Sequence, residues 1–73
     1  LNVPYIEAGL YEHYKGNKYE VIGVALDSEN LQPYVMYRSL VSSKVPYWAR
    51  PYDMFTGSVL IDGQEIPRFK KIS

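Results

Sequence analysis

The chain has 73 residues, no formal net charge, no cysteine and a single histidine. That length makes one small domain, which buries about 60% of the surface its unfolded chain exposes and whose core rarely supplies more than ~3–5 kcal/mol. The composition excludes disulfides, thiolate metal sites and a strongly basic nucleic-acid surface, and leaves good packing or a partner subunit to supply stability.

The lack of cysteine fits a reducing compartment, so a cytoplasmic location is expected. No apolar run approaches the ~20 residues of a membrane span or the shorter core of a signal peptide, and no membrane partner is expected. The chain begins at Leu1 rather than Met, so either a trimmed chain or a piece of a longer protein is expected. Charge is unevenly spread. Glu7, Glu12, Glu20, Asp27 and Glu29 face Lys15 and Lys18 in residues 1–30, which is 2 − 5 = −3. Arg38, Lys44, Arg50, Arg68, Lys70 and Lys71 face Asp53, Asp62 and Glu65 in the remainder, which is 6 − 3 = +3. The strands of a small barrel interleave the two halves, so the asymmetry is expected to cancel in space.

Eight of the eleven aromatic residues are Tyr, a residue suited to strands and half-buried surfaces because its ring packs while its hydroxyl stays wet. No segment carries a sustained i, i+3, i+4 apolar stripe, and Gly and Pro punctuate the chain at short intervals, so the reading is all-β. Residues 1–8 form a lead-in, interrupted by Pro4. A strand is expected over Gly9 to Tyr14, a turn at "KGNK", and a second strand over Tyr19 to Leu26. Strict alternation puts Tyr19, Val21 and Ala25 on one face of that strand and Glu20, Ile22 and Val24 on the other. Gly23 within it signals a bulge or sharp bend.

A polar loop, "DSENLQP", leads to a strand over Tyr34 to Val41, with Val35, Tyr37 and Ser39 opposite Tyr34, Met36, Arg38 and Leu40. "SSKVP" is a loop. A short strand from Tyr47 to Arg50 stops at Pro51, and "PYDMF" suits one turn of 3₁₀ helix. Ser58 to Ile61 and Gln64 to Phe69 pair through Asp62-Gly63, a two-residue hairpin signal, with Pro67 marking the second of them as an edge. Lys70 onward reads as a solvated tail. Five or six short strands fit one strongly bent SH3-like barrel over residues 9–69, with an OB-like barrel as the alternative.

The segments "GLYEHYKGNKYEVIGVA", "DSEN", "VMYRSL", "YWARPYDMF" and "IPRF" resemble, in order and spacing, the DUF1653 family of small, mostly bacterial domains. Its members read G-x-Y-x-H-Y-K-G-x-x-Y-x-V, an H-S-E-T-like loop, V-Y-x-x-L and W-V-R-P-x-x-M-F. The resemblance runs from about Gly9 to Phe69. The chain departs from the pattern at Asp27 for the loop His, Asn30 for Thr and Ala49 for Val, and after Leu40 it reads "VSSKVPY" where a Tyr-Gly start is usual. The resemblance implies a fold and a set of positions; it implies no activity.

No nucleophile elbow, phosphate-cradling Gly loop, Cys nucleophile or His cluster is present. No catalytic residue, metal or cofactor is therefore assigned. Trp48 and Arg50 lie two apart on a strand and share a face, with Ala49 on the other. If Ala49 faces the core, Trp48 and Arg50 face outward as a surface that can stack on a flat group and grip an anion. Alternatively, Trp48 seals one end of the barrel and Arg50 pairs with Glu29 or Asp53. Tyr11 and His13 share a face of the first strand and Tyr37 sits on the third; these are expected to join Trp48, with Arg50, Arg38 and Glu29 as polar contacts. The function expected is a non-catalytic binding module for a peptide, a protein or a small anionic ligand, in a monomer or weak homodimer. The alternative is nucleic-acid or nucleotide binding, through stacking on Trp48 and Tyr37 with Arg50 and Arg38 on phosphates.

Overall fold

The structure is a computed structural model and describes residues 2–41 and 44–73. Leu1 and the first two residues of the "SSKVP" loop lie outside the described residues. Seven strands and one helical turn follow one another as β1 (Gly9–His13), β2 (Lys18–Leu26), β3 (Pro33–Ser39), β4 (Trp48–Pro51), α1 (Tyr52–Phe55), β5 (Ser58–Ile61), β6 (Gln64–Pro67) and β7 (Phe69–Lys71). The fold is mostly β, as the alternation and turn residues require.

The ladder does not close. Five strands form one antiparallel sheet in the order β4-β3-β2-β1-β7, and β5 and β6 form a separate two-stranded sheet. Among the described residues β4 and β7 each pair on one side only, so a closed hydrogen-bonded barrel is absent. The last expected strand breaks in two. Pro67 has no N–H to continue a ladder, and Arg68 makes the switch: its N–H donates to the Gly57 carbonyl and its carbonyl accepts from the Tyr14 N–H. Lys70 and Lys71, expected in a solvated tail, instead lie in β7, opposite Glu12 and Tyr11 on β1. The pairing continues past β7, where the Ile72 N–H donates to the Leu10 carbonyl and the Leu10 N–H to the Ser73 carbonyl.

β2 carries the expected irregularity. Val21 opposes Tyr37 and Gly23 opposes Met36, leaving Ile22 as the extra residue of a bulge. The extra residue resets the alternation. Val24 opposes the fully buried Val35, while Ala25 opposes Tyr34 on the reverse face. Strict alternation had placed Ala25 with Val21 and Val24 on the other side; the bulge exchanges them.

The segment after Pro51 is a single α turn rather than 3₁₀: the Thr56 N–H donates to the Tyr52 carbonyl, an i→i−4 bond. This turn delivers Phe55, 1% exposed, into the concave face of the sheet. There it stacks on Phe69, with centroids 3.9 Å apart and planes within 7°. Tyr11, Val21, Val35 and Tyr37 complete the buried core, and Ile6, Tyr19 and Tyr52 pack against it. The lead-in has no regular structure in residues 2–8 but is tied down. The Tyr11 hydroxyl donates to the Glu7 carbonyl at 2.7 Å, and the Tyr52 hydroxyl to the Tyr5 carbonyl at 3.0 Å.

Candidate functional site

The register of β4 decides which way "WAR" faces. Trp48 opposes Tyr37, Ala49 opposes Met36 and Arg50 opposes Val35. Val35 and Tyr37 are core residues, so Trp48 and Arg50 lie on the concave, core-bearing face and Ala49 lies on the reverse face. This inverts the premise of the sequence argument. An Arg on the core face is tolerated because β4 is an edge strand. The concave face extends beyond the core there and opens to solvent, leaving Trp48 45% exposed and Arg50 half-buried.

Tyr19, Tyr37, Trp48 and Arg50 line a pocket of ≈ 220 Å³. Its floor is aromatic. Tyr19 meets Tyr37 edge to face at 5.3 Å, and both meet Phe69 at 5.8 Å. The Arg50 guanidinium carbon lies 5.6 Å from the Phe69 centroid, and Arg50 Nε donates to the Tyr37 hydroxyl at 3.3 Å. A cation over a ring face at this range is attracted by the ring quadrupole, an effect worth about 0.5–2 kcal/mol. Arg50 pairs with neither Glu29 nor Asp53. The ion pairs found among the described residues are Arg38–Glu20 and Lys71–Glu7.

None of the other expected site residues, Tyr11, His13, Arg38 and Glu29, lines this pocket. Tyr11 is buried in the core beneath Phe55 at 5.6 Å, and burial, then the nearby Glu7 carboxylate, hold its hydroxyl pKa above the ordinary value. His13 packs on the same Phe69 ring as Arg50, at 4.9 Å, but opens onto a separate hollow with Tyr14, Ile66 and Pro67. Its pKa is lowered by burial first, and then by the positive charges of Arg50, Arg68 and Lys15. Its Nδ1 accepts the Lys15 backbone N–H at 3.1 Å, so the ring acts in the turn as a neutral acceptor. Arg38 opposes Glu20 on the reverse face and is neutralised by it. Glu29 stands exposed in the β2–β3 turn, its N–H donating to Asp27 Oδ1.

Two residues of the site were absent from the sequence argument. Tyr19 shares a face with Val21 by alternation, and that face is the core face, so the signal was present. Phe69 carried no local signal, because it reaches the site only through the switch of sheets at Arg68. Among the described residues no group of three or more His, Cys, Asp or Glu is placed to hold a metal ion, and no helix is long and apolar enough to cross a membrane.

A bent antiparallel sheet open at both edges, a hairpin and one α turn closing an aromatic core define a small, mostly β domain. The chain belongs to the DUF1653 family of proteins of unknown function, whose family model matches residues 9–71. The crystal structure of a DUF1653 protein from Bordetella bronchiseptica resembles it with a TM-score of 0.81 at 28% identity, over 92% of this chain and 87% of that one. No curated protein matches the sequence.

Proposed function

We propose that this domain is a non-catalytic binding module that receives a short stretch of peptide or a small ligand in the Tyr19–Tyr37–Trp48–Arg50 pocket. The observation that supports this is the state of Arg50. Arg50 is half-buried beside the Phe69 ring, has no carboxylate partner among the described residues, and shares its pocket with an exposed Trp. A half-buried charge met among the described residues only by a hydroxyl and a ring face keeps hydrogen-bonding capacity that a ligand group can use. The SH3-like description of the fold belongs to this proposal. The strongly bent sheet and its aromatic cleft are the features such domains use to grip extended peptides, and the comparison is one of fold-level analogy.

The pocket volume limits the ligand. At ≈ 220 Å³ it lies below the ~300–1,000 Å³ range of drug-sized sites, so it holds one side chain or a fragment. Nucleic-acid binding is the competing reading. It loses Arg38, which is paired with Glu20 on the reverse face, and keeps only Arg50 as a cation lining the pocket. The test is a titration of isotopically labelled protein with a degenerate library of short peptides and with single-stranded oligonucleotide at physiological ionic strength. The Trp48 indole N–H resonance is expected to move with peptide. Movement with oligonucleotide alone, weakening steeply with added salt, would hand the site to nucleic acid; no movement with either refutes the binding reading.

A further inference from the structure

We infer that the pocket recognises a carboxylate carried beside a small flat group, an assignment that rests on the binding reading above and narrows it. The argument is a count of donors and acceptors. Arg50 has five N–H donors in a planar fork and no acceptor. Nε is engaged by the Tyr37 hydroxyl, and the terminal nitrogens make no hydrogen bond or ion pair to the described residues. Having accepted from Arg50, the Tyr37 hydroxyl keeps its own proton to give. The Trp48 indole N–H, which can only donate, and the Tyr19 hydroxyl make no hydrogen bond to the described residues. Four donor-bearing side chains therefore meet in one pocket, with no anionic group lining it. An acceptor with a negative charge is the group that complements this set of donors.

Charge and shape select among anions. The lining supplies one positive charge, that of Arg50, which matches a singly charged carboxylate better than a phosphate dianion. The guanidinium carbon lies 5.6 Å from the Phe69 centroid and Nε is taken by the Tyr37 hydroxyl, so the terminal nitrogens are the donors left to the pocket, and a guanidinium fork pairs bidentately with a planar carboxylate. Trp48, Tyr19 and Tyr37 line the same pocket and offer aromatic surface to a flat group attached to the carboxylate. Two sources carry this chemistry: the C-terminal residue of a peptide, and a free small aromatic acid.

The test compares acids with their neutral amides. Benzoate against benzamide, and N-acetyl-glycyl-phenylalanine against its C-terminal amide, are titrated while the Trp48 indole N–H and Arg50 Nε–H resonances are followed. Each acid is expected to bind at least about tenfold more tightly than its amide. Arg50→Lys keeps the charge but loses the fork, and is expected to erase most of that preference. Tyr37→Phe, which leaves Arg50 in place and removes the hydroxyl proton, is the second variant should Arg50→Lys fold poorly; it is expected to weaken the acids more than the amides. A peptide acid binding more than about tenfold better than benzoate identifies a chain terminus, and equal affinities identify a free acid. Equal affinity of acid and amide, with both moving the indole, overturns the carboxylate assignment and leaves the binding reading standing. Silence of the indole to all four probes also overturns the assignment, and the binding reading then rests on its own peptide titration.

Discussion

The imidazole of His13 lies in surroundings that disfavour its protonated form. It accepts a backbone N–H in the β1–β2 turn, packs against Phe69, and faces the positive charges of Arg50, Arg68 and Lys15. Its folded pKa lies below the ordinary value of 6.5, for reasons of burial first and those charges second. In the unfolded chain it takes up a proton at higher pH than in the folded one. The unfolded state therefore binds more protons just below pH 6.5, and stability falls as the pH drops through that window toward the folded pKa. The denaturation midpoint of the native chain is expected to fall between about pH 7.5 and about pH 5.5, a range in which carboxylates with ordinary pKa values stay ionised. His13→Gln is expected to flatten that slope. An identical slope in both proteins would show that His13 does not carry it.

At the scale of elements, two turns store opposite amounts of strain. Asp62 and Gly63 both have positive φ, 50° and 78°, as a two-residue type I′ hairpin demands, and Ile61 pairs with Gln64 across it. Gly63→Val puts a β-branched residue where it is strained and is expected to cost about 1 kcal/mol or more. A drop in melting temperature of several degrees checks it, since about 4–8 °C corresponds to 1 kcal/mol in a domain of this size. The β2–β3 turn instead forces Leu31 to φ 60°, a conformation that costs a non-glycine residue roughly 1–2 kcal/mol. Leu31 is exposed, so its side chain contributes little packing. Leu31→Gly is expected to raise the melting temperature, the relief of strain exceeding the ~0.5–1 kcal/mol entropic penalty of glycine; a lowered value would mean that the side chain packs in a way its exposure conceals.

The same elements show what sequence reading could reach. β1 to β3 and the Asp62-Gly63 turn were legible because alternation and turn residues are local properties. The swap of Val24 and Ala25 was not, because a bulge changes parity without changing composition. The facing of Trp48 and Arg50 was misjudged for a related reason. The rule that Arg avoids the core presumes a closed fold, and in an open sheet the core face has a wet margin at its edge strand. Of the candidate pocket, Trp48 and Arg50 were linked by their spacing and Tyr37 by its place on the third strand. Phe69, which lies against Tyr37 and Arg50, was not, because its place depends on contacts across the whole molecule.

The whole molecule is looser than a compact sphere of its length. Its radius of gyration is 12.7 Å, against about 11 Å for a compact 73-residue domain. The β5–β6 hairpin forms its own two-stranded sheet, and Leu60 on it is largely exposed. Stability is therefore concentrated in the few side chains that close the concave face. Phe55 is chief among them, because it is the one buried residue of α1 and contacts Tyr11, Tyr37 and Phe69. A domain of this size is stable by about 4–11 kcal/mol in all, and Phe→Ala in a core costs about 3–5 kcal/mol. Phe55→Ala is expected to remove most of the cooperative unfolding transition seen by calorimetry. Phe55→Leu keeps an apolar side chain in place and is expected to leave the domain folded with a lowered melting temperature. Because Phe69 loses its stacked neighbour in that variant while still underlying Arg50, ligand affinity at the Trp48 pocket is expected to fall along with stability. If Phe55→Leu lowers the melting temperature but leaves affinity untouched, the guanidinium is positioned by β4 and Tyr37 alone, and the aromatic floor serves the core rather than the site.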